Sequence, residues 1–253
     1  MDNGENIVNV SDMCFYVEQL NDILKKSDNI VFFGGAGVST ESGIPDFRSA
    51  GGMFGDSGYA APPEKILSHS FFLSHMGEFF RYYKDKILHL DAKPNSAHIK
   101  LAELEKAGKL QAVVTQNIDG LHQKAGSKNV IELHGSVYRN NCLDCGKPYD
   151  ANYIAAAAGV PICECGGVIR PGVVLYEESL DQEDVQRAIR YIRDADVLII
   201  GGTSLVVYPA AGLVQYYTGK KMIIINKSET DNDSRALLTI RRGIGEVMSL
   251  ISG

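Results

Sequence analysis

Cys142-x2-Cys145, a spacer of 17 residues and Cys163-x-Cys165 place four thiols in two short knuckles. Thiolates paired at such spacing are the ligands of a tetrahedral zinc ion, and four of them fill its coordination sphere. The site they make is therefore structural, with no open position for catalysis. Two disulfides or four reduced thiols are the alternatives. Gly146 and Gly166-Gly167, directly after the knuckles, favour the metal in a chain whose polar N-terminus (Met1 to Asn9) has no apolar leader segment. The flanks carry Arg139, Lys147 and Arg170 but also Asp144, Asp150 and Glu164, so no basic face for nucleic acid is expected. The remaining thiol, Cys14, lies on a predicted helix and reads as a small buried hydrophobe.

The second chemistry-bearing stretch runs from Phe32 to Arg48. An apolar strand (Asn29 to Phe33) breaks at Gly34-Gly35-Ala36-Gly37, and Gly35-x-Gly37 is the first half of a dinucleotide fingerprint, in which backbone N–H groups approach a pyrophosphate. Thr40 stands where the third glycine would be. The chain then leaves through Gly43-Ile44-Pro45-Asp46-Phe47-Arg48, where proline disfavours helix, as an ordered loop carrying charge beside the turn. Glycine, proline and polar residues from Ala50 to Pro63 predict a lid.

Polar residues also stand at the ends of other apolar runs: Gln116-Asn117-Ile118-Asp119, His134, Gly202-Thr203-Ser204 and Asn226. Asn117 and Asp119 have a plain reading as turn residues, and Thr203-Ser204 as a helix cap. Their functional reading is the holding of ribose hydroxyls, phosphate or a carboxamide. His134 and His122 compete as general acid–base groups, and the residues alone leave that contest open. His69, His75, His89 and His98 fall on helical stretches and read as solvated or packed.

The elements that position these groups follow from periodicity. Met13, Tyr16, Val17, Leu20, Ile23 and Leu24 mark a helix with Ser11 as its cap. Strands are expected at 29–33, 110–115, 130–133, 173–176, 197–200 and 222–225. Helices are expected within 63–90, at 98–106, 180–193 and 209–217, and from 243 onward. Uninterrupted apolar strands alternating with helices mean a parallel α/β sheet buried on both faces, with ligands at the carboxyl ends of its strands. The chain has 253 residues, 45% hydrophobic and 22% charged, with a net charge of −6. No apolar run reaches membrane length, the charge argues against a basic nucleic-acid binder, and the expected location is cytoplasmic.

Gly35-Ala36-Gly37-Val38-Ser39-x-x-Ser42-Gly43-Ile44-Pro45-Asp46-Phe47-Arg48, Thr115 to Asp119, His134-Gly135, the four cysteines and Gly202-Thr203-Ser204-Leu205 occur in an order that resembles the sirtuin family of NAD-dependent protein deacylases. The likeness covers roughly residues 29 to 245. It implies one catalytic unit with a large Rossmann-like part (about 1–45, 91–136 and 175–253) and a smaller part. The smaller part joins a helical insertion and cofactor loop (about 46–90) to a zinc ribbon (about 137–174). By resemblance, Gly35, Ala36, Gly37, Thr40, Gly202, Thr203 and Ser204 line the phosphates and the neighbouring ribose. Phe47 and Arg48 cover the nicotinamide ribose, with Phe47 also facing the substrate. Gln116 and Asn117 hold that ribose, Ile118 borders both ligands, and Asp119 takes the carboxamide. Asn226 meets the adenine ribose and Ile244 the adenine. Val174 pairs with an acyl-lysine peptide, Tyr176 walls its channel, and His134 becomes the general base. NAD would be consumed, giving nicotinamide, O-acetyl-ADP-ribose and free lysine.

An ADP-ribosyltransferase or NAD hydrolase on the same fold is the alternative, and a silent NAD-sensing module a third. A dehydrogenase fits least, because Thr40 and the loop to Arg48 serve no hydride geometry. Two departures stand out. Tyr176-Glu177-Glu178 replaces the family's Phe-Gly-Glu, and Phe80 and Tyr83 occupy the positions of the Tyr-x-x-Arg pair found in desuccinylating members. A buried carboxylate without its arginine is unpaired and costly. Acetyl-peptide is therefore expected to turn over faster than succinyl-peptide in parallel kinetic assays, and the reverse order would overturn that expectation.

Overall fold

The computed structural model describes residues 10–46, 58–59 and 61–252. Phe47 and Arg48, and most of the expected lid, lie outside the described residues. Six strands form one parallel sheet in the order β3-β2-β1-β7-β8-β9: β1 (Ile30–Gly34), β2 (Leu110–Thr115), β3 (Val130–Glu132), β7 (Val197–Gly201), β8 (Lys221–Ile225) and β9 (Leu238–Ile240). The order reverses between β1 and β7, so the chain leaves neighbouring strands in opposite directions and opens a crevice at their carboxyl ends. There Gly34 pairs with Gly201 on one side and Thr115 on the other.

Alternation along β1 explains why both faces are covered. Ile30 and Phe32 join a core with α1 (Val10–Lys25), α5 (Ser96–Lys106) and α9 (Ile244–Ser249), while Val31 and Phe33 join a second core with α8 (Gln182–Asp194). A third core unites the helical insertion, α2 (Pro63–Ile66), α3 (His69–Ser74) and α4 (Met76–Tyr82), with a small antiparallel sheet. That sheet runs β5-β4-β6, from β4 (Gly135–Cys142), β5 (Pro148–Tyr149) and β6 (Ile169–Val173). The Lys84 ammonium donates to the carbonyls of Ala157 and Gly159, just beyond α7 (Ala151–Ala156), tying insertion to ribbon. Among the described residues no helix is long and apolar enough to cross a membrane.

Several expectations are corrected. Helix α1 starts at Val10, so Ser11 lies within it and is not its cap. Cys14 is exposed, because the buried stripe of α1 passes through Met13 and Val17. The segment expected as a helix at 209–217 is a 3₁₀ turn, Ala210–Tyr216. The strand expected at 173–176 ends its regular pairing at Val173, and only a single parallel bridge from Tyr176 to Ser68 continues it.

Asn95 caps α5 by accepting from Ala97 N–H at 2.9 Å, while His98 Nδ1 accepts the Asn95 N–H at 3.3 Å. That bond fixes the tautomer: Nδ1 carries no proton, so the proton is on Nε2, which is buried without a partner. His122, on α6 (Leu121–Ala125), packs 4.7 Å from the His98 ring and is likewise buried, with neither nitrogen paired. Burial pushes the His98 imidazole down to about 4, partly opposed by Asp119, and holds His122 well below its usual 6.5. In the unfolded chain both recover ordinary values. The unfolded state therefore binds more protons, and stability falls as pH drops from 6.5 toward 4. Denaturant unfolding at pH 7 and pH 5 is expected to show this loss, and His122→Leu to reduce it. An equal loss in that variant would contradict the assignment.

Candidate active site

The crevice is built where two backbones interlock. Gly35 N–H donates to Gly201 O at 3.3 Å and Gly37 N–H to Gly202 O at 2.8 Å. A Cβ on Gly37 would lie 2.8 Å from Gly202 Cα, and Gly202 itself has φ +56° with Val38 N 2.3 Å from its would-be Cβ. Side chains at these two positions are excluded by the approach of the loops, before any ligand is considered. Instead of entering an α-helix, the chain then makes two 3₁₀ turns, Ala36–Val38 and Thr40–Ser42. Asn95 Nδ2, at the head of α5, steadies them by donating to Val38 O (2.8 Å) and Ser42 Oγ (3.0 Å).

The polar groups at the neighbouring strand ends meet on this turn. Buried Ser39 donates to Asp119 Oδ2 at 2.7 Å and accepts from Asn117 Nδ2 at 3.0 Å. The other Asp119 oxygen accepts from Leu121 N–H at 2.9 Å. Gln116 Nε2 donates to Thr203 Oγ1 at 3.1 Å, which joins β2's end to the loop after β7. Thr40 Oγ1 donates back to Gly37 O, and Ser204 is half-buried beside buried Thr203. Asn226 is held by Nδ2–H···O bonds to Ser228 at the end of β8. Ile244 is buried, and its Cδ1 lies against Gly201, so its side chain belongs to the core beneath the crevice.

His134 Nδ1 sits 2.9 Å from Gln116 O. A carbonyl only accepts, so Nδ1 must carry the proton and Nε2 its lone pair. Burial lowers the imidazole's basicity, opposed in part by that carbonyl, and the neutral form prevails at neutral pH. His134 O accepts Val174 N–H at 2.9 Å, which places His134 beside the expected substrate strand. His122, 1% exposed beneath the sheet end, is out of reach of a ligand in the crevice.

The segment past Val174 is latched to the helical insertion. Tyr176, 37% exposed, exchanges backbone bonds with Leu67 O and His69 N. Glu177 takes φ +75°, a left-handed conformation that costs a non-glycine residue energy. Its carboxylate accepts both N–H and Oγ–H of Ser70 at 2.9 Å, and the backbone donor above all keeps it ionised. Glu178 accepts from Arg170, His69 Nδ1 and Leu175 N–H, which together outweigh the opposing effect of burial and lower its pKa.

The four cysteine sulfurs lie within 4.8 Å of one another, with Cys142–Cys165 at 3.5 Å and Cys145–Cys163 at 3.6 Å. Sulfurs about 2.3 Å from one tetrahedral ion are about 3.8 Å apart, whereas a disulfide closes to about 2.05 Å. The donor set fits one zinc ion, despite the short second knuckle.

Residues 35–209 match the family model described as the Sir2 family. The chain belongs to the Sir2 family. Among Sir2-family relatives, an NAD-dependent protein deacetylase of Clostridium perfringens is 58% identical, over 93% of this chain and 98% of its own. One of Clostridium acetobutylicum is 55% identical, over 93% and 97%. A solved structure of Sir2 with a p53 peptide and NAD+ superimposes with a TM-score of 0.81 at 41% identity, covering 92% of this chain and 95% of that one. A Sir2 bound to acetylated peptide gives 0.80 at 40%, with the same coverage.

Sequence reasoning passed over two residues of this Sir2 site. Ser39 entered only as one residue of the glycine-turn motif, with no role assigned to it. Glu41 accepts Gly245 N–H at 2.9 Å, joining the second 3₁₀ turn to the start of α9 across 204 positions of sequence. Glu41→Ala is expected to raise KM for NAD about fivefold with little change in kcat, the worth of one lost hydrogen bond of about 1 kcal/mol. Steady-state kinetics with NAD varied would check it, and an unchanged KM would remove Glu41 from the site.

Proposed function

We propose that in this NAD-dependent protein deacetylase His134 is the general base, Asn117 its catalytic partner at the ribose, and the strand about Val174 the peptide-binding edge. The observation that carries the reading is the His134–Gln116 bond, which leaves Nε2 unprotonated on the imidazole next to Val174. An extended peptide adding to Val174 by main-chain pairing brings its acyl-lysine past Ile118 and Tyr176 toward that nitrogen. This fits the acetylated peptide bound by a Sir2 relative.

NAD supplies an ADP-ribosyl acceptor for the acyl group and a nicotinamide leaving group. The chain's own residues then have separable tasks. Gly35, Ala36, Gly37 and Thr40, with Gly202, Thr203 and Ser204, present N–H and hydroxyl groups to the phosphates. Gln116 and Asn117 orient the ribose nearest the base, and Asp119, its carboxylate oriented by Ser39 and Leu121 N–H, accepts from the carboxamide. Asn226 and the backbone about Ile244 take the adenosine end. Phe47 and Arg48, which lie outside the described residues, are by the family resemblance the cover that excludes water from the scissile bond. His134 Nε2 accepts the ribose hydroxyl proton and passes it on while Nδ1 stays bonded to Gln116 O. Cys142, Cys145, Cys163 and Cys165 hold a zinc ion whose task is to fold the ribbon. The acyl groups accepted are neutral, acetyl foremost.

Incubation of the protein with NAD and an acetyl-peptide should give O-acetyl-ADP-ribose, nicotinamide and free lysine by mass spectrometry. Nicotinamide release independent of peptide would indicate a hydrolase or ADP-ribosyltransferase instead. Because the His134 pKa lies below 6.5, kcat/KM for acetyl-peptide should decline only as pH falls below that value. His134→Ala should lose about a hundredfold or more in rate. Full activity in that variant would sink the assignment.

A further inference from the structure

A cavity lies at the opposite edge of the large sheet from the crevice, where the last turns of α8 meet the chain entering β1 and β2. Its volume is about 470 Å³, and it is lined by Asn29, Gln111, Arg187, Arg190, Tyr191 and Asp194. Small-molecule sites typically measure about 300–1,000 Å³. None of these six residues belongs to the crevice.

The walls carry two kinds of free polar group, and the first is cationic. Arg187 and Arg190 stand three positions apart on α8, so their side chains share one face. Arg187 is held by Asp184 Oδ1 at 2.9 Å and Asn129 Oδ1 at 3.4 Å. Arg190 is exposed, and among the described residues it makes no hydrogen bond or close ion pair. Its attraction to Asp194 acts only at longer range. Asp194 is itself occupied, because Arg193 donates to both its oxygens, at 2.7 and 3.2 Å. The charge left without a close partner is therefore positive, in a protein whose net charge is −6.

The second kind is a pair of fixed acceptors. Asn29 Nδ2 donates to Asp194 O, the last carbonyl of α8, at 2.6 Å. Gln111 Nε2 donates to Asp28 O at 2.8 Å and to Gly108 O at 3.0 Å. A carbonyl only accepts, so each amide is fixed with its nitrogen toward the backbone and its oxygen open to a donor. Gln111 takes its place from a slip in strand pairing: Ile30 faces Leu110 but Val31 faces Ala112, which makes Gln111 the extra residue. Bulges of this kind re-aim a side chain and recur at sheet edges and beside functional sites. Tyr191 completes the lining. Its half-buried ring packs on the second core, and among the described residues its hydroxyl has no hydrogen bond.

We propose that this cavity is a second ligand site, taking a nucleoside monophosphate. Arg187 and Arg190 hold the phosphate, as paired guanidinium groups do well. The base lies against the Tyr191 ring, while Asn29 Oδ1 and Gln111 Oε1 accept from ribose hydroxyls or an exocyclic amino group. Inorganic phosphate would engage the arginines alone and leave the ring and both amide oxygens unused. The site is separate from the NAD crevice and independent of the role given to His134.

Calorimetric titration with AMP tests the proposal on the whole protein, with NAD at saturation so that the crevice is filled. One AMP binds per chain. Arg190→Gln weakens that binding about tenfold, the worth of one charge-assisted hydrogen bond, and leaves KM for NAD within about twofold. Tyr191→Leu keeps an apolar side chain against the core, and it weakens binding of AMP but not of inorganic phosphate. Equal AMP affinity in the wild type and Arg190→Gln puts the nucleotide elsewhere and overturns the site. Absence of AMP binding to the NAD-saturated protein does the same. Inorganic phosphate binding as tightly as AMP overturns the nucleotide class.

Discussion

The close approach of two backbones, Gly35–Gly37 after β1 and Gly201–Gly202 after β7, is the constraint on which the site depends. The bond from Gly37 N–H to Gly202 O fixes the distance between loops that leave the sheet in opposite directions. Were either loop to carry a Cβ at Gly37 or Gly202, the loops would part by a good fraction of an ångström, and with them the groups they carry. Ser39 sits two residues beyond this contact, so its bonds to Asn117 and Asp119 register β2's end on the same reference point. Gln116 is registered twice, through Thr203 on the far loop and through His134. His134 thus inherits its orientation from the glycine contact through two hydrogen bonds.

That dependence explains the division of labour between the sheets. The large parallel sheet is covered on both faces and supplies stiff strand ends. The small sheet contributes the cysteine cluster and the proposed peptide edge, and the chain just past it reaches His134 through the bond from Val174 N–H to His134 O. Its core is shared with the helical insertion, so the ribbon and the insertion are packed as one. A structural zinc is consistent with this plan, because a ribbon of three short strands has little apolar surface of its own to hold it folded.

Much of this was legible in the sequence wherever one residue type has one physical use. Unbroken apolar runs gave the buried parallel strands, glycines the loop after β1, and the spaced thiols the metal cluster. The same logic misplaced Cys14, since periodicity alone does not say which flank of an amphipathic stripe is covered. It also missed the π turn at Tyr83, because the aromatics of α4 continue smoothly into it and the register slip lies in the backbone. Residue types alone left His134 and His122 level and the family resemblance chose His134; the burial of His122 is a separate fact that only packing shows. Glu41 and Gly245 lie too far apart in the chain for any local pattern to join them.

Glu177 stands where resemblance expects glycine, and it holds a left-handed backbone with its carboxylate locked onto Ser70. A glycine there would leave the proposed peptide edge free to sample many shapes and to lose that freedom on each encounter. With glutamate the ordering is completed during folding, so docking a peptide surrenders less entropy. The same latch makes the edge less able to remould itself around unusual sequences. Economy of binding is gained at the expense of tolerance, a trade set by one residue that never needs to touch the substrate.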